Sequence, residues 1–312
     1  MRKMLVLILG MVLILTSCSS SDLENYIEAV QKTSSINSGN KKIEFSVDMD
    51  FNLDNLTTNE LKTVRYLEHM EFSTDITYDR NGASTQAISK TYTNAAGIGM
   101  DCIVYVNGDS VCMYIPSLGG YVDLTSEEYE DWVTTSKDFS SVFQPVLDKF
   151  LDLISDEDVM KENRTYITTD DGQIKTTVYS INIDNEQLQK LMDELVIQID
   201  SLDISLETLL EKYLEDNALD EINLTSEMKI WQELFSMESF SYTTYVDFDG
   251  RVVQQDLDLA LVINNDEANN GPVRIKVSAV ITNSGLGQKQ QIEFPEITQD
   301  MYLEEGLEDL WN

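Results

Sequence analysis

The chain is poor in the residues from which most catalytic and metal centres are built. Its 312 residues include one histidine, three cysteines and four prolines. With His69 alone, neither an H-E-x-x-H helix nor a Cys/His zinc spacing can be assembled. No G-x-S-x-G elbow is present to offer a serine to that histidine. A P-loop, a G-x-G-x-x-G turn and a C-x-x-C pair are likewise missing. The expectation is a non-enzymatic protein without cofactor or metal. Basic residues are also scarce, 21 against 56 acidic, for a formal charge of −35. That balance excludes nucleic acid, whose binding rests on Lys and Arg neutralising phosphates, and disfavours lying flat on an anionic membrane surface. Apolar runs are short. The longest, Met4 to Leu15, would rise roughly 18 Å as a helix, well below a bilayer core of about 30 Å.

That run follows Arg2 and Lys3 and ends in Leu15-Thr16-Ser17-Cys18, the layout of a cleavable leader rather than of a spanning helix. It resembles a bacterial lipobox, in which the leader is cut before the cysteine and the thiol receives a diacylglyceryl group. The resemblance implies a signal peptide over 1–17, a lipidated (palmitate-type) Cys18 with a short spacer over 18–21, and a single domain over 22–312. The implied location is the extracytoplasmic face of a cell membrane, held there by acyl chains, since two chains give a stable anchor where one is marginal.

Beyond the spacer, Leu23, Tyr26, Ile27 and Val30 share one face of a helix over 22–33, with Ser21 or Asp22 as cap. The period then changes from 3.6 to 2. Ile43, Phe45, Val47, Met49, Phe51 and Leu53 alternate with polar residues, marking a strand with one apolar face. Met70, Phe72, Ile76 and Tyr78 continue this pattern. Asn81-Gly82, Asn107-Gly108, Asp171-Gly172 and Asp249-Gly250 are hairpin turn signals. The middle reads as helices: 127–135, one started by Pro145, and others carrying Leu188 to Ile199, Leu206 to Leu214 and Met228 to Phe235. Strands return at Phe240–Phe248, Val253–Ile263, Val273–Ile281 and, as an edge, Gln290–Phe294. A short helix around Met301–Leu310 closes the chain. The pattern predicts an α+β fold: a curved antiparallel meander sheet, one face covered by amphipathic helices.

The carboxylate pairs Asp48/Asp50, Asp247/Asp249 and Asp256/Asp258 admit calcium or acid/base chemistry, but read foremost as the solvated face of a sheet. Cys102 and Cys112 flank the Asn107-Gly108 turn. A simple two-residue turn sends their thiols to opposite faces, leaving them free. One bulged residue would bring them together as a disulfide.

A lipobox leader, an N-terminal helix, acidic alternating strands and the segment Tyr105-Val106-Asn107-Gly108 through Met113-Tyr114 to Gly120-Tyr121-Val122-Asp123-Leu124 resemble uncharacterised Gram-positive lipoproteins related to the LolA, LolB and LppX group of lipoprotein and lipid carriers. The resemblance implies a half-barrel sheet closed by helices over an apolar cavity that holds a lipid or other hydrophobic ligand. Residues on the apolar strand faces are the candidate lining: Phe45, Met49, Phe51, Phe72, Tyr78, Phe240, Tyr242 and Phe248. The implied partners are the membrane, through the anchor, and that ligand. The alternative expectation is an envelope module whose acidic outer face binds a protein or wall polymer.

Overall fold

A computed structural model describes residues 21–51, 68–82, 84–95, 97–125, 145–201, 235–263 and 272–303. Cys18, Leu53 and the expected helices at 127–135, Leu206–Leu214 and most of Met228–Phe235 lie outside them.

Twelve antiparallel strands form one open sheet in the order β6-β5-β4-β3-β2-β1-β12-β11-β10-β9-β7, with β8 pairing β9. The strands are β1 (Ser38–Asp50), β2 (His69–Asp79), β3 (Gln86–Ala95), β4 (Ile98–Asn107), β5 (Ser110–Ile115), β6 (Gly120–Asp123), β7 (Val159–Lys161), β8 (Thr165–Thr169), β9 (Gly172–Ile181), β10 (Phe235–Val246), β11 (Val252–Ile263) and β12 (Val273–Ser284). Two meanders, one from each end of the chain, therefore meet where β1 pairs with β12 from Asn40↔Ser284 to Asp50↔Arg274.

Among the described residues three helices accompany the sheet: α1 (Asp22–Ser34), α2 (145–153) and α3 (Asn185–Ser201). α1 opens with a capping box. Ser21 Oγ accepts the Glu24 N–H and the Glu24 carboxylate accepts the Ser21 N–H, both at 3.1 Å. Asp184 and Gln187 form the same reciprocal pair ahead of α3, at 2.8 Å each. Such caps contribute about 1 kcal/mol each. The Gln187 amide also donates to Leu153 O and to Asp158, so one side chain joins α2, α3 and the turn before β7.

The main core lies under α1. Tyr26, Ala29 and Val30 pack with Ile154, Val159, Tyr179, Ile181, Val246 and Val252, and Phe150, Leu188, Phe240 and Tyr242 flank them. Polar bonds tie α1 down further: Thr33 Oγ1 accepts the Val252 N–H at 2.7 Å, and Lys32 donates to Asp249 O. A second cluster joins Val47, Leu261, Ile263 and Ile275 across the meander junction. A third, Ile115, Val122 and Leu124, is covered by Leu303 of the C-terminal segment.

Several sequence expectations change. β10 begins at Phe235, which pairs with Ile263, so Phe235 is strand rather than the end of the expected helix from Met228, whose other residues lie outside the described set. Gln290–Phe294 forms no strand; β12, which precedes it, already has β1 and β11 on its two edges. The C-terminal helix begins instead as a single 3-10 turn, Gln299–Met301, followed by a parallel bridge from Tyr302 to Tyr121; residues 304–312 are outside the described set. β3 went unpredicted because one of its faces holds only Ala87, Ser89, Thr91, Thr93 and Ala95, which give no apolar alternation.

The β4–β5 hairpin turns on Gly108 and Asp109, because Asn107 pairs with Ser110. Gly108 takes φ +63°, which a side chain would strain. Cys112 stands opposite Tyr105 while Cys102 stands opposite Thr91. Cys102 lies three residues, an odd offset, from the Tyr105 that faces Cys112, so the two cysteines project from opposite faces and both are free thiols. Burial pushes both thiols above their ordinary value, each reinforced by a nearby aspartate, Asp101 or Asp123. Both should therefore react slowly with a water-soluble thiol reagent in the native state and rapidly in urea. Loss of two protons on oxidation, read by intact mass, would contradict the register.

Core and turn positions should also separate in unfolding experiments. Ile181→Ala, at a fully buried site, should cost about 2–5 kcal/mol in urea denaturation. Phe248→Ala, at a site 92% exposed, should change stability by less than about 0.5 kcal/mol.

Candidate functional site

Because directly paired residues share a face, the register sorts every side chain of the sheet. The inner face, toward α1, receives Lys41, Ile43, Phe45, Val47 and Met49 from β1 and Met70, Phe72, Thr74, Ile76 and Tyr78 from β2. From β12 it takes Ile275, Val277, Ala279, Ile281 and Asn283, and from β11 Gln255, Leu257, Leu259 and Leu261. Phe240, Tyr242 and Thr244 continue it on β10. Across β1–β6 and β10–β12, no paired inner position is acidic and Lys41 is the sole charge. The acids lie outside: Glu44, Asp48, Glu71, Asp75, Asp101, Asp256 and Asp258 all occupy the other parity. Bulged Glu238 turns to Arg274, 3.6 Å away on that outer side.

The candidate lining residues separate accordingly. Phe45 and Phe72 are direct cross-strand partners, and Met49 and Tyr78 lie on the same face. Phe240 and Tyr242 sit further along it, packed against the core under α1, where Tyr242 meets Phe150 edge-on at 5.7 Å. Phe51 follows the end of β1, half-buried. Phe248 departs from the set. β10 ends at Val246, and Phe248 projects into solvent from the β10–β11 turn. That turn is built by its neighbours: Arg251 holds Asp247 at 2.7 Å and Asp249 at 2.9 Å, and Gly250 takes φ +72°. The Asp247/Asp249 pair thus binds the Arg251 guanidinium.

Helix cover is uneven. Tyr26 and Ile181 are sealed under α1, whereas at the β1–β4 end Phe45 is 38%, Met100 40% and Ile98 70% exposed. The inner face is also not uniformly apolar. Thr74, Ser89 and Thr91 form a hydroxyl cluster, with Thr74 2.8 Å from Ser89 and 3.0 Å from Thr91. Beneath α1, the Tyr26 hydroxyl and Thr244 Oγ1 are shut from solvent without a well-formed hydrogen bond, although the Tyr242 and Thr244 hydroxyls stand near Tyr26. Burial raises the Tyr242 phenol above its ordinary value and the Tyr26 phenol well above it.

Lys41 was not among the candidate residues, although the sequence holds its signal. The alternation Ile43-Phe45-Val47, extended back one step, puts Lys41 on the apolar phase. Its neighbour Lys42 faces outward and pairs with Glu44 at 2.9 Å. Lys41 has no hydrogen-bonded or ion-paired partner among the described residues. Burial, and then the charge of Arg80, hold its amine below the usual lysine value. Arg80, just past β2, lays its guanidinium over the Tyr78 ring, 5.5 Å from the centroid.

A separate cleft of about 300 Å³ lies between α1 and the β10–β11 turn, lined by Asn25, Glu28, Lys32, Tyr179, Phe248 and Asp249 among others. It is polar, and of the candidate lining it takes only Phe248. Among the described residues no cluster of three His, Cys, Asp or Glu is placed to hold a metal ion. His69 lies on the outer face, Nδ1 2.7 Å from Asp48 and Nε2 3.0 Å from Glu71, with no serine in contact. On that outer face Tyr114 and Tyr105 both pack against Tyr121, at 4.8 and 6.4 Å.

No family model matches the chain, and no curated protein matches it.

Hydrogen bonds donated to Asp48 and then to Glu71 raise the His69 pKa above its ordinary value of about 6.5. A raised folded pKa stabilises the fold below the unfolded value and loses that contribution as pH rises through the folded one. An NMR titration should place His69 above 6.5, and Asp48→Asn should lower it. An unshifted His69 would contradict the geometry.

Proposed function

We propose that this chain is a membrane-tethered extracytoplasmic lipoprotein, lipidated on Cys18 after removal of residues 1–17, and that it binds a lipid or other hydrophobic ligand without catalysing a reaction. The ligand lies between the helices and the inner face of the sheet, which on this reading curves as the half-barrel of the LolA and LppX group. One observation carries the reading: in a chain of formal charge −35, the paired inner positions of β1–β6 and β10–β12 hold no carboxylate, while Phe45, Met100 and Ile98 on that face are exposed. Large exposed apolar patches on a folded chain mark binding surfaces. Burying that surface against an acyl chain would contribute about 25 cal/mol per Å². Phe45, Phe72, Met49 and Tyr78 belong to this ligand surface. Phe240 and Tyr242 support it from the core, and Phe248 falls outside it.

The outer face supports a second reading, a wall-polymer or protein contact, through the packed Tyr105, Tyr114 and Tyr121. It has the weaker claim, since Tyr side chains on a wet sheet face also serve simply to pack against one another.

The protein purified from its host should carry a co-purifying lipid, visible by native mass spectrometry and lost on organic extraction. Phe45→Asp with Phe72→Asp should abolish its retention, while Phe248→Asp should leave it intact. Lipid-free protein in repeated preparations would transfer the claim to the outer face. Attachment is tested separately: Cys18→Ala should release the chain from the membrane fraction.

A further inference from the structure

The ligand-binding reading leaves the headgroup open, and Lys41 and Arg80 bear on it. We propose that the ligand is an anionic acyl lipid, whose acidic headgroup is held by Lys41 with Arg80 while its chain runs along the inner face over Ile43, Phe45 and Phe72. The proposal rests on the reading above and names the ligand class for that same face.

A half-buried ammonium with no acceptor is costly, because it gives up water without gaining a partner. The chain has 56 acidic residues from which to supply one. It places one opposite Lys42, on the other face, at 2.9 Å. Beside Lys41 the register puts Ile76 on β2 and Asn283 on β12 instead. The second cation, Arg80, is close enough to depress the Lys41 amine further. Two neighbouring cations without a carboxylate partner among the described residues, at the edge of an apolar surface, are complementary to one kind of molecule: an anion with a hydrocarbon tail. An incoming carboxylate or phosphate would satisfy the amine and relieve its repulsion from the guanidinium, by charge-assisted hydrogen bonds.

The geometry gives the tail a path. From Lys41 to Met49 the strand rises roughly 26 Å, comparable with an extended long acyl chain. Every inner residue of β1 over that length is apolar. The acidic outer surface does not forbid the approach. Its charges are on the far side of the sheet, and screening confines exposed charges to about 8–10 Å at physiological ionic strength.

The test uses the full chain carrying Cys18→Ala, so that no anchor acyl group competes, titrated calorimetrically with oleate and separately with monoolein, its uncharged glyceride. Oleate should bind more tightly than monoolein. Lys41→Met should weaken oleate about ten- to a hundredfold, the worth of hydrogen bonds to a charged group, and leave monoolein within about twofold. Should Lys41→Met fail to fold, judged by circular dichroism, exposed Arg80→Gln carries the same comparison. If both lipids bind and neither substitution discriminates between them, the headgroup assignment is overturned while the ligand-binding reading stands. If the parent chain binds neither lipid, the ligand-binding reading falls and the assignment falls with it.

Discussion

The pairing of β1 with β12 is the contact on which the rest of the structure depends. It joins residues from opposite ends of the described chain, Asn40 with Ser284 and Asp50 with Arg274. Closing a loop of that length costs about 5 kcal/mol in chain entropy, growing only slowly with length. A full ladder of backbone hydrogen bonds offsets that cost, together with the Val47, Leu261, Ile263 and Ile275 cluster that spans the seam. Without the seam there would be two smaller sheets, each with an unpaired edge. With it, the inner face is continuous from β6 to β10. Non-local pairing of this kind also places the junction late in folding, after the local hairpins have formed.

Once the seam is set, the period-2 pattern does the sorting. A strand in a fixed register cannot move one charge inward without moving every other residue with it. The acids therefore leave the inner face together, and Lys41 enters it as part of the same alternation that places Ile43, Phe45 and Val47. The cation is thus not a random defect in an apolar surface. β1 could carry Leu or Thr there with no change of phase, and burying such a side chain would avoid the desolvation that lysine suffers. The thiols obey the same rule. Cys102 and Cys112 are close in sequence on adjacent strands, yet their parity keeps them apart.

This also accounts for how much the amino-acid sequence disclosed. The strand through Ile43 to Met49, the Asp249-Gly250 turn and the Ser21 cap were legible because each is local: alternation, a glycine at positive φ, a hydroxyl three residues before a glutamate. β3 was hidden because Ala87, Ser89, Thr91 and Thr93 are inner-face residues that lack apolar bulk, their hydroxyls bonding to one another and to Thr74. The Gln290–Phe294 stretch alternates like a strand and is not one, because β12, the strand before it, is already paired on both edges, a fact that only topology supplies. Phe248 continued the Phe240-Tyr242-Thr244-Val246 phase on paper, but the turn at Asp247 ended the strand first. Of the candidate lining, the members inside strands share one face, and Phe248, beyond a strand end, does not. Lys41 was within reach of the same alternation and was obscured by its neighbour: in a Lys-Lys pair the second, ion-paired residue looks representative.

The position of α1 gives the proposed anchor a mechanical consequence. Its capping box begins at Ser21, three residues from Cys18, and its Tyr26 is fully buried against Tyr179 and Ile181. A lipid on Cys18 would therefore be coupled through a rigid, capped helix to the core under the sheet, with almost no slack between them. α1 contacts β7 and β11, while the open apolar surface, Phe45, Met100 and Ile98, belongs to β1 and β4, on the far side of the seam. Anchor and ligand surface thus occupy different halves of one continuous sheet. A domain held this way samples only the lipid within its own reach. For it, local capture or hand-over at the membrane is physically accessible and long-range shuttling is not.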